Sequence, residues 1–363
     1  MRLVSLRLHD FRSYQTLLLT PPEGVTVIVG ENGAGKTNLL EAVHLCCLGR
    51  SHRTSADGDM IRRGQETAAV QLIVERNDGR HDVGIRLYQN QKRKKLLYVN
   101  GKTAARMGEL MGHATCVMFS PEDLAIVKDG PHARRRFLDM LLSECQRAYF
   151  YALQAYNATL RQRNALLKMN PDDTAQLDAW DAQLAEAAAP VVRLRAAAAQ
   201  ELDKLARAHY DFISGRTDEK LALSYVSQVS PLESAADMLQ KLHNARAEDI
   251  RRMTTTIGPH RDDLMLTLSD HELRAFGSQG QARTAALSLK LAAFDMLSDT
   301  QGEPPLLLLD DVLSELDPVR RQRLIERIKN AQALITCTDP SDFTGASPAC
   351  VLKVAGGQIE QEA

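Results

Sequence analysis

Apolar and polar residues alternate from the first positions of the chain. Leu3, Leu6 and Leu8 stand among Arg2, Ser5, Arg7 and His9, a pattern that predicts one or two short strands. The turn-rich Pro21-Pro22-Glu23-Gly24 then gives way to Val25-Thr26-Val27-Ile28-Val29, a strand reading directly into Gly30. From Thr37 the period becomes helical, with Leu40, Val43, Cys47 and Leu48 on about one face. Val70, Leu72 and Val74 alternate with polar residues, as do Val83, Ile85 and Leu87, and the intervening Asn77-Asp78-Gly79 is a strong hairpin turn. A second turn, Asn100-Gly101, follows Leu96-Leu97-Tyr98-Val99. The expectation is a small antiparallel sheet inserted after the first helix.

The pattern changes from about His132. Ala, Leu, Arg, Gln and Glu dominate to Met169, and again from Gln176 to Phe212, at helical spacing. Leu177, Leu184, Val191, Ala198, Leu205 and Phe212 recur every seven residues, and Trp180, Ala187 and Leu194 supply the complementary heptad position. Pro190 interrupts that seam and should kink or divide the helix. Asn170-Pro171-Asp172-Asp173 predicts the reversal between the two helical stretches, and a third runs from about Leu232 to Met253. Such a helical subdomain either packs on itself or projects as an arm toward a partner.

Helical spacing between Ala282 and Leu297 leads through Gly302-Glu303-Pro304-Pro305 to Leu306-Leu307-Leu308-Leu309, which suits a parallel strand covered on both faces. A helix from Pro318 to about Gln332 and a strand Ala333-Leu334-Ile335-Thr336 follow. The divisions expected are residues 1–130, a first part of one domain; 131–255, a helical insertion; and 256–363, the remainder of the first domain.

Composition narrows the class. Across 363 residues, 45 Lys+Arg face 46 Asp+Glu, so the net charge of −1 excludes a globally basic binder, and any nucleic-acid surface must be local. The longest purely aliphatic run, Leu306 to Leu309, is far below the roughly 18 residues of a membrane span. Six cysteines without a CxxC make no disulfide framework, and the charge-broken start carries no secretory signal, so a reduced, cytoplasmic protein is expected.

Candidate chemistry sits at both ends. Gly30-Glu31-Asn32-Gly33-Ala34-Gly35-Lys36-Thr37 satisfies the phosphate-loop pattern G-x-x-x-x-G-K-[ST] and lies where that loop must lie, between an apolar strand and a helix. Its amides can curl around phosphate oxygens, Lys36 can bridge the β and γ phosphates of ATP, and Thr37 can ligate Mg²⁺. The run ending in Asp310-Asp311 supplies carboxylates: Asp310 on the Mg²⁺ side, Asp311 to orient or deprotonate the attacking water. Asp310 lies 274 residues after Lys36, so two neighbouring strands of one sheet are divided by a long insertion and the core is assembled from both chain ends. Ser278, Gln279, Gly280 and Gln281 open a helix, a place suited to a terminal phosphate and equally to a plain cap and turn. Asp317 is placed to cap a helix opened by Pro318.

These motifs carry a resemblance. The phosphate loop with Ser278-Gln279-Gly280-Gln281 and Ser314-Glu315-Leu316-Asp317 resembles the head of the ABC-type ATPases that include the SMC proteins. Within that group the chain is similar to the RecF family, on Leu8-His9-Asp10-Phe11-Arg12-Ser13-Tyr14, Phe119-Ser120-Pro121-Glu122-Asp123-Leu124, Gly130-Pro131 with Arg134-Arg135-Arg136-Phe137-Leu138-Asp139, and Gly258-Pro259-His260-Arg261-Asp262-Asp263. The resemblance implies an α/β ABC-type ATPase head with a mostly helical inserted arm. It implies an ATP-dependent head-to-tail homodimer in which Lys36 of one copy faces Ser278 of the other, and a weak, DNA-stimulated ATPase acting as a switch. It implies double-stranded and gapped DNA, RecR and RecO as partners, and loading of the RecA recombinase in repair, replication restart and the SOS response.

The pattern departs from transporter and SMC heads in two places. Asp311 stands where those have Glu, and no His lies between Gln332 and Phe343, leaving Asp339 as the nearest counterpart of a switch histidine. Ser120-Pro121-Glu122-Asp123 is either a helix start or a phosphate and water sensor. Arg86, Lys92, Arg93, Lys94, Lys95 and Lys102, with no acid among them, and Arg134-Arg135-Arg136 are two basic clusters, each either a DNA-backbone contact or ordinary surface charge. A transport ATPase would carry the glutamine and histidine switch and lack the long interruption. A chromosome cohesion protein would need a coiled coil of hundreds of residues.

Overall fold

The alternating start of the chain forms β1 (Arg2–Phe11) and β2 (Tyr14–Leu19), an antiparallel pair turned at Arg12, whose backbone is left-handed (φ 51°). The computed structural model describes residues 1–89, 94–339, 343 and 348–362. After β3 (Val25–Val29) and α1 (Lys36–Leu48) come β4 (Thr67–Arg76), β5 (Gly79–Tyr88), β6 (Lys95–Val99) and β7 (Lys102–Ala104). The expected insert is not a sheet by itself. β4 pairs with β1, and the six strands run β2-β1-β4-β5-β6-β7, so the chain start is part of the same sheet. Register explains the alternation: Leu6 lies opposite Leu72 and Leu72 opposite Val83, all buried, because directly opposed residues share a face. Helix α1 is buried nearly all round rather than on one face, and its Glu41 is held by Arg12.

A short strand, β8 (Cys116–Phe119), leads to α2 (Leu124–Lys128), α3 (Pro131–Cys145), α4 (Arg147–Met169) and α5 (Thr174–Ser214). The first helical stretch is thus two helices, divided at the extended Gln146. Helix α5 runs without division through Pro190 for 41 residues. Its buried stripe begins on the heptad positions Leu177, Leu184, Val191 and Ala198, but ends on Ala206 and Ile213 instead of Leu205 and Phe212. A straight helix drifts about 20° per heptad, so five heptads rotate the stripe by about 100°, one residue. The seam is that of a straight packed helix.

Then follow β9 (Leu221–Val226), α6 (Ala235–Arg252), β10 (Asp263–Leu268), β11 (His271–Glu272) and α7 (Leu273–Phe276). The three strands form an antiparallel sheet, β11-β10-β9, that the sequence reading did not anticipate. The segment Gly258 to Asp263 ties this sheet to the helices. Arg134 grips Asp263 with two bonds (2.6 and 2.8 Å), Arg135 donates to the Asp262 carbonyl (2.5 Å), Arg195 donates to the Pro259 carbonyl (2.6 Å), and His260 bonds Tyr156 (2.5 Å).

The chain ends with α8 (Gln279–Gln301), β12 (Leu306–Asp310), α9 (Pro318–Ile328), β13 (Ala333–Cys337), β14 (Cys350–Ala355) and β15 (Gln358–Glu362). With β3 and β8 these strands make a second six-stranded sheet, ordered β15-β14-β3-β13-β12-β8. Every residue of β12 and β13 is buried, as expected of central parallel strands. The expected adjacency of the phosphate-loop strand and the acidic strand is corrected: β13 lies between β3 and β12 and pairs with both.

Two compact units result. One comprises Met1–Asp123, Phe212–Gly215 and Leu287–Ala363, the other Leu124–Asp211 and Arg216–Ala286. The second unit therefore extends beyond the 131–255 division at both ends and contains Ser278. Among the described residues none of the six cysteines is joined in a disulfide. Among the described residues no helix is long and apolar enough to cross a membrane.

Candidate nucleotide site

In the first unit β3, β13, β12 and β8 run parallel, so the segments leaving their carboxyl ends gather at one edge of the sheet, the usual ligand crevice of an open α/β sheet. The phosphate loop leaves β3. Glu31, Asn32 and Gly33 form its exposed crest, Ala34 N–H closes it onto the Glu31 carbonyl (3.1 Å), and Lys36 is buried at its base. Gly30 is required by close approach, since a Cβ there would stand 2.4 Å from the Val354 carbonyl oxygen. Gly35 is required twice over, by its left-handed backbone (φ 112°) and because a Cβ would lie 2.6 Å from Ser13 Oγ. Helix α1 starts at Lys36 with no side-chain cap and no acid in its first turn, leaving its amides and the positive end of its dipole for an anion.

Lys36 Nζ donates to the Gly30 carbonyl (2.7 Å) and reaches that of Glu31 (3.4 Å). The neighbouring Thr37 Oγ1 donates to Asp310 Oδ1 at 2.9 Å, joining the two ends of the chain. Asp310 also accepts from Thr336 Oγ1 (2.8 Å), and Thr336 Oγ1 in turn accepts the Asp311 N–H (2.9 Å). Burial, with the charges of Asp311 and Glu122, pushes the Asp310 carboxyl above its usual range despite the bonds from Thr336 and Thr37. A buried carboxylate and a hydroxyl, both oxygen donors, fit a hard divalent cation such as Mg²⁺, whose charge would offset the cost of burying Asp310. Asp311 has a left-handed backbone (φ 50°), which ends β12 and turns the second acid out of the alternation of the strand. Its carbonyl accepts from Ser314 Oγ (2.7 Å). Downstream, Asp317 caps α9 through Val319 and Arg320 N–H (both 3.1 Å), as its spacing predicts.

The β8 exit forms a third wall. Phe119 pairs with Leu309, which places Ser120 beside Asp310 in register. Ser120 N–H donates to Asp123 (2.8 Å), and Lys290 on α8 binds both Asp123 (2.7 Å) and the Met118 carbonyl (2.7 Å). Asp123 is thus a structural anchor, while Glu122 remains exposed. Asp339, weighed as a switch residue, is exposed two positions beyond the end of β13.

Ser278, Gln279, Gly280 and Gln281 belong to the second unit. Ser278 caps α8: Gln281 N–H donates to Ser278 Oγ (3.2 Å), and Ser278 N–H donates to Gln281 Oε1 (2.9 Å), a reciprocal capping box. Ser278 and Gln279 are exposed, as is Phe276 just before them.

Sequence reasoning missed Thr336, Lys290 and the Arg12–Glu41 pair. A threonine inside an apolar strand and a lysine inside an apolar helix were the available signals. The Leu8-to-Tyr14 phrase also acquires a local role: Tyr14 hydroxyl donates to the Gly35 carbonyl (3.0 Å) and Asn38 to Ser13 Oγ (3.0 Å), so it buttresses the phosphate loop. Of the basic clusters, Arg134 and Arg135 are spent internally, and Lys95 pairs with Asp57 (2.7 Å). Arg86, Lys94, Lys102 and Arg136 are exposed; Lys92 and Arg93 lie outside the described residues.

The profile of the RecF/RecN/SMC N terminal domain matches residues 2–358. The chain is 41% identical over 351 residues to the DNA replication and repair protein RecF of Symbiobacterium thermophilum, covering 94% of this chain and 93% of that one. To the protein of the same name from Halothermothrix orenii it is 44% identical over 345 residues, covering 92% and 91%. A solved structure of the recombination mediator protein RecF-ATPrS in the RecFOR pathway superposes with a TM-score of 0.91 at 33% identity, over 99% of this chain and 98% of that one. An Smc head domain from Pyrococcus furiosus, at 16% identity and a TM-score of 0.57 over 99% and 96%, shares the fold. With its phosphate loop and acidic strand brought together from opposite chain ends and a helical arm set between them, the chain belongs to the RecF family of ATPase heads.

Proposed function

We propose that this ATP-binding member of the RecF family is an ATP-gated clamp on DNA that serves recombinational repair and replication restart. The observation that carries the reading is the 2.9 Å bond between Thr37 and Asp310, 273 residues apart, which joins the phosphate loop to the acidic end of β12. The relatives named as DNA replication and repair proteins, and the ATP-bound form named among the solved RecF structures, support it.

In this reading residues 30–37 cradle the phosphates of ATP, and Lys36 leaves Gly30 to bridge the β and γ groups. Thr37 and Asp310 hold Mg²⁺, which when bound offsets the phosphate charge. Asp311 orients a water and takes its proton as the water oxygen attacks the γ phosphorus and ADP leaves. Its side chain is one methylene shorter than Glu, which suits a slow switch more than a motor. Two copies close head to tail, Ser278 and the amides of Gln279 to Gln281 of one completing the site around Lys36 of the other. ATP thereby favours closure, and hydrolysis releases it. The clamp takes double-stranded and gapped DNA through backbone contacts, stimulates its own weak ATPase there, and acts in the cytoplasm at the nucleoid with RecR and RecO to load RecA.

Sedimentation of the pure protein with and without ATP and duplex DNA tests this reading. The expected result is a doubling of mass with ATP and Mg²⁺ and a further shift when duplex is added. A monomer under every condition would overturn it.

A further inference from the structure

The side-chain amide of Gln281 has two neighbours of opposite kind. Its Oε1 accepts the Ser278 N–H (2.9 Å), and its Nε2 donates to Glu219 Oε1 (3.0 Å). A donor on one side and an acceptor on the other fix which way the amide points. Glu219 is itself held in place. Its side chain is 13% exposed, and it accepts from the Tyr210 hydroxyl of α5 (2.6 Å) and from Arg216 (2.6 Å). Burial pushes its carboxyl up, but the bonds from Tyr210, Gln281 and Arg216 prevail and hold it below the usual range, so it is a charged acceptor at neutral pH. A continuous series of hydrogen bonds therefore runs from the end of the long arm helix to the serine turn: Tyr210, Glu219, Gln281, Ser278. All four residues belong to one compact unit.

This arrangement explains a choice that capping alone leaves open. At the third helical position of a capping box Glu serves as well as Gln, since only an acceptor is needed for the backbone N–H. Here the far side of the same group meets a carboxylate, and only the amide supplies a donor to it. A glutamate at 281 would oppose Glu219 and forfeit the bond.

We propose that Glu219 is the positioning residue through which the end of α5 sets the Ser278 turn in its productive geometry. The proposal rests on the reading that Ser278 completes the site of a second copy. Glu219 touches no nucleotide in this scheme; it acts through Gln281. A displacement at the end of α5 would consequently alter the affinity of one copy for the other while leaving the phosphate loop of each copy unaffected.

The test compares Glu219→Ala, Gln281→Glu and the reciprocal exchange Glu219→Gln with Gln281→Glu, each as the full chain. Labelled ATP titrated at protein concentrations where the wild type is monomeric reads the phosphate loop; sedimentation with ATP and Mg²⁺ reads closure. Glu219→Ala and Gln281→Glu are each expected to keep wild-type monomer binding and to need about tenfold more protein for ATP-dependent dimerisation, the scale of one lost charge-assisted hydrogen bond. The exchange restores a donor at 219 facing an acceptor at 281 and should recover most of that loss. A stability role alone would instead lower the melting temperature and monomer binding together, with no recovery in the exchange.

Dimerisation of Glu219→Ala at wild-type concentrations, or an exchange no better than Gln281→Glu alone, overturns the proposal. If Glu219→Ala fails to fold, Glu219→Gln carries the comparison, with Tyr210→Phe expected to show a smaller defect in the same direction. Ser278→Arg separates the two levels of the argument. If it dimerises normally, the two-copy site itself is wrong; if it fails while Glu219→Ala is normal, only the role of Glu219 is.

Discussion

The ammonium of Lys36 donates to the carbonyl of Gly30 at 2.7 Å, so the lysine closes the phosphate loop on the first residue of its own motif. A phosphate must compete with that carbonyl, and the exchange of partners is a net gain because a bond between opposite charges replaces one from the ammonium to a neutral acceptor. Lys36→Ala should weaken ATP binding roughly 10- to 100-fold. Lys36→Arg keeps the charge but not the shape, and should retain more binding while impairing hydrolysis. Equilibrium titration and phosphate release measure the two; wild-type turnover by Lys36→Ala would remove the lysine from the site.

The two acids at the end of β12, Asp310 and Asp311, should separate by function. Asp310→Asn is expected to abolish the Mg²⁺ dependence of binding, since Asp310 meets Thr37 directly. Asp311→Asn should bind nucleotide normally and prolong the ATP-bound dimer on DNA. Dimer lifetime after dilution into excess ADP distinguishes them, and a normal lifetime with normal turnover would exclude Asp311 from water orientation.

Thr336 serves both acids with one hydroxyl. Thr336→Val preserves shape but leaves the Asp311 N–H without its acceptor and Asp310 with one donor fewer, at a cost of about 1–3 kcal/mol in stability. Turnover should fall with it. Denaturant unfolding read beside phosphate release checks both, and an unchanged midpoint would show that the contact contributes nothing.

Mixing Ser278→Arg with Lys36→Ala should restore activity that neither variant has alone. In the mixed pair one site carries both defects and the other is chemically complete. Phosphate release across mixing ratios is expected to peak near equal proportions. A flat response from a confirmed mixed dimer would mean that both sites must act together.

In the arm, His260 accepts from Tyr156 on Nδ1 and donates from Nε2 to the Thr255 carbonyl, an arrangement that holds only for the neutral ring. Burial lowers its pKa to about 4, from an ordinary 6.5. Between those values the unfolded chain binds the proton and the folded chain does not, so stability is complete above pH 6.5 and declines as pH falls toward 4. On the order of 3 kcal/mol should be lost over that window. His260→Asn should flatten this slope in denaturant titrations at pH 7, 5.5 and 4.5; an unaltered slope would assign the loss to other groups.

The motifs themselves were legible because their chemistry demands contiguous residues: a loop that wraps a phosphate needs successive amides, and a buried parallel strand needs an unbroken apolar run. The order of strands was less accessible. Nothing in Leu306–Asp310 or Val25–Val29 says that β13 separates them, since each strand reads only as buried on both faces. Thr336 carries no period that would distinguish it from an ordinary strand residue, and Lys290 and Asp123 are 167 positions apart, so their pairing is a property of the fold. The heptads of α5 led to Leu205 and Phe212 because a seven-residue count ignores the drift of a straight helix, and Pro190 failed to divide it because packing outweighed one missing hydrogen bond.

The partners of β3 on both sides, β13 and β14, begin at Ala333 and Cys350. During synthesis at about 5–20 residues per second, the phosphate-loop strand is therefore made roughly 15–60 s before anything that can flank it. The antiparallel sheet of β1, β2 and β4 to β7 is complete long before then and can fold on the ribosome, whereas β3 must wait with both edges unpaired. A nascent chain of this protein has an apolar central strand open for almost the whole of translation, and its dependence on chaperones should be concentrated in that interval. A chain terminated just before β13 would keep every residue of the phosphate loop and still lack both strands that flank β3.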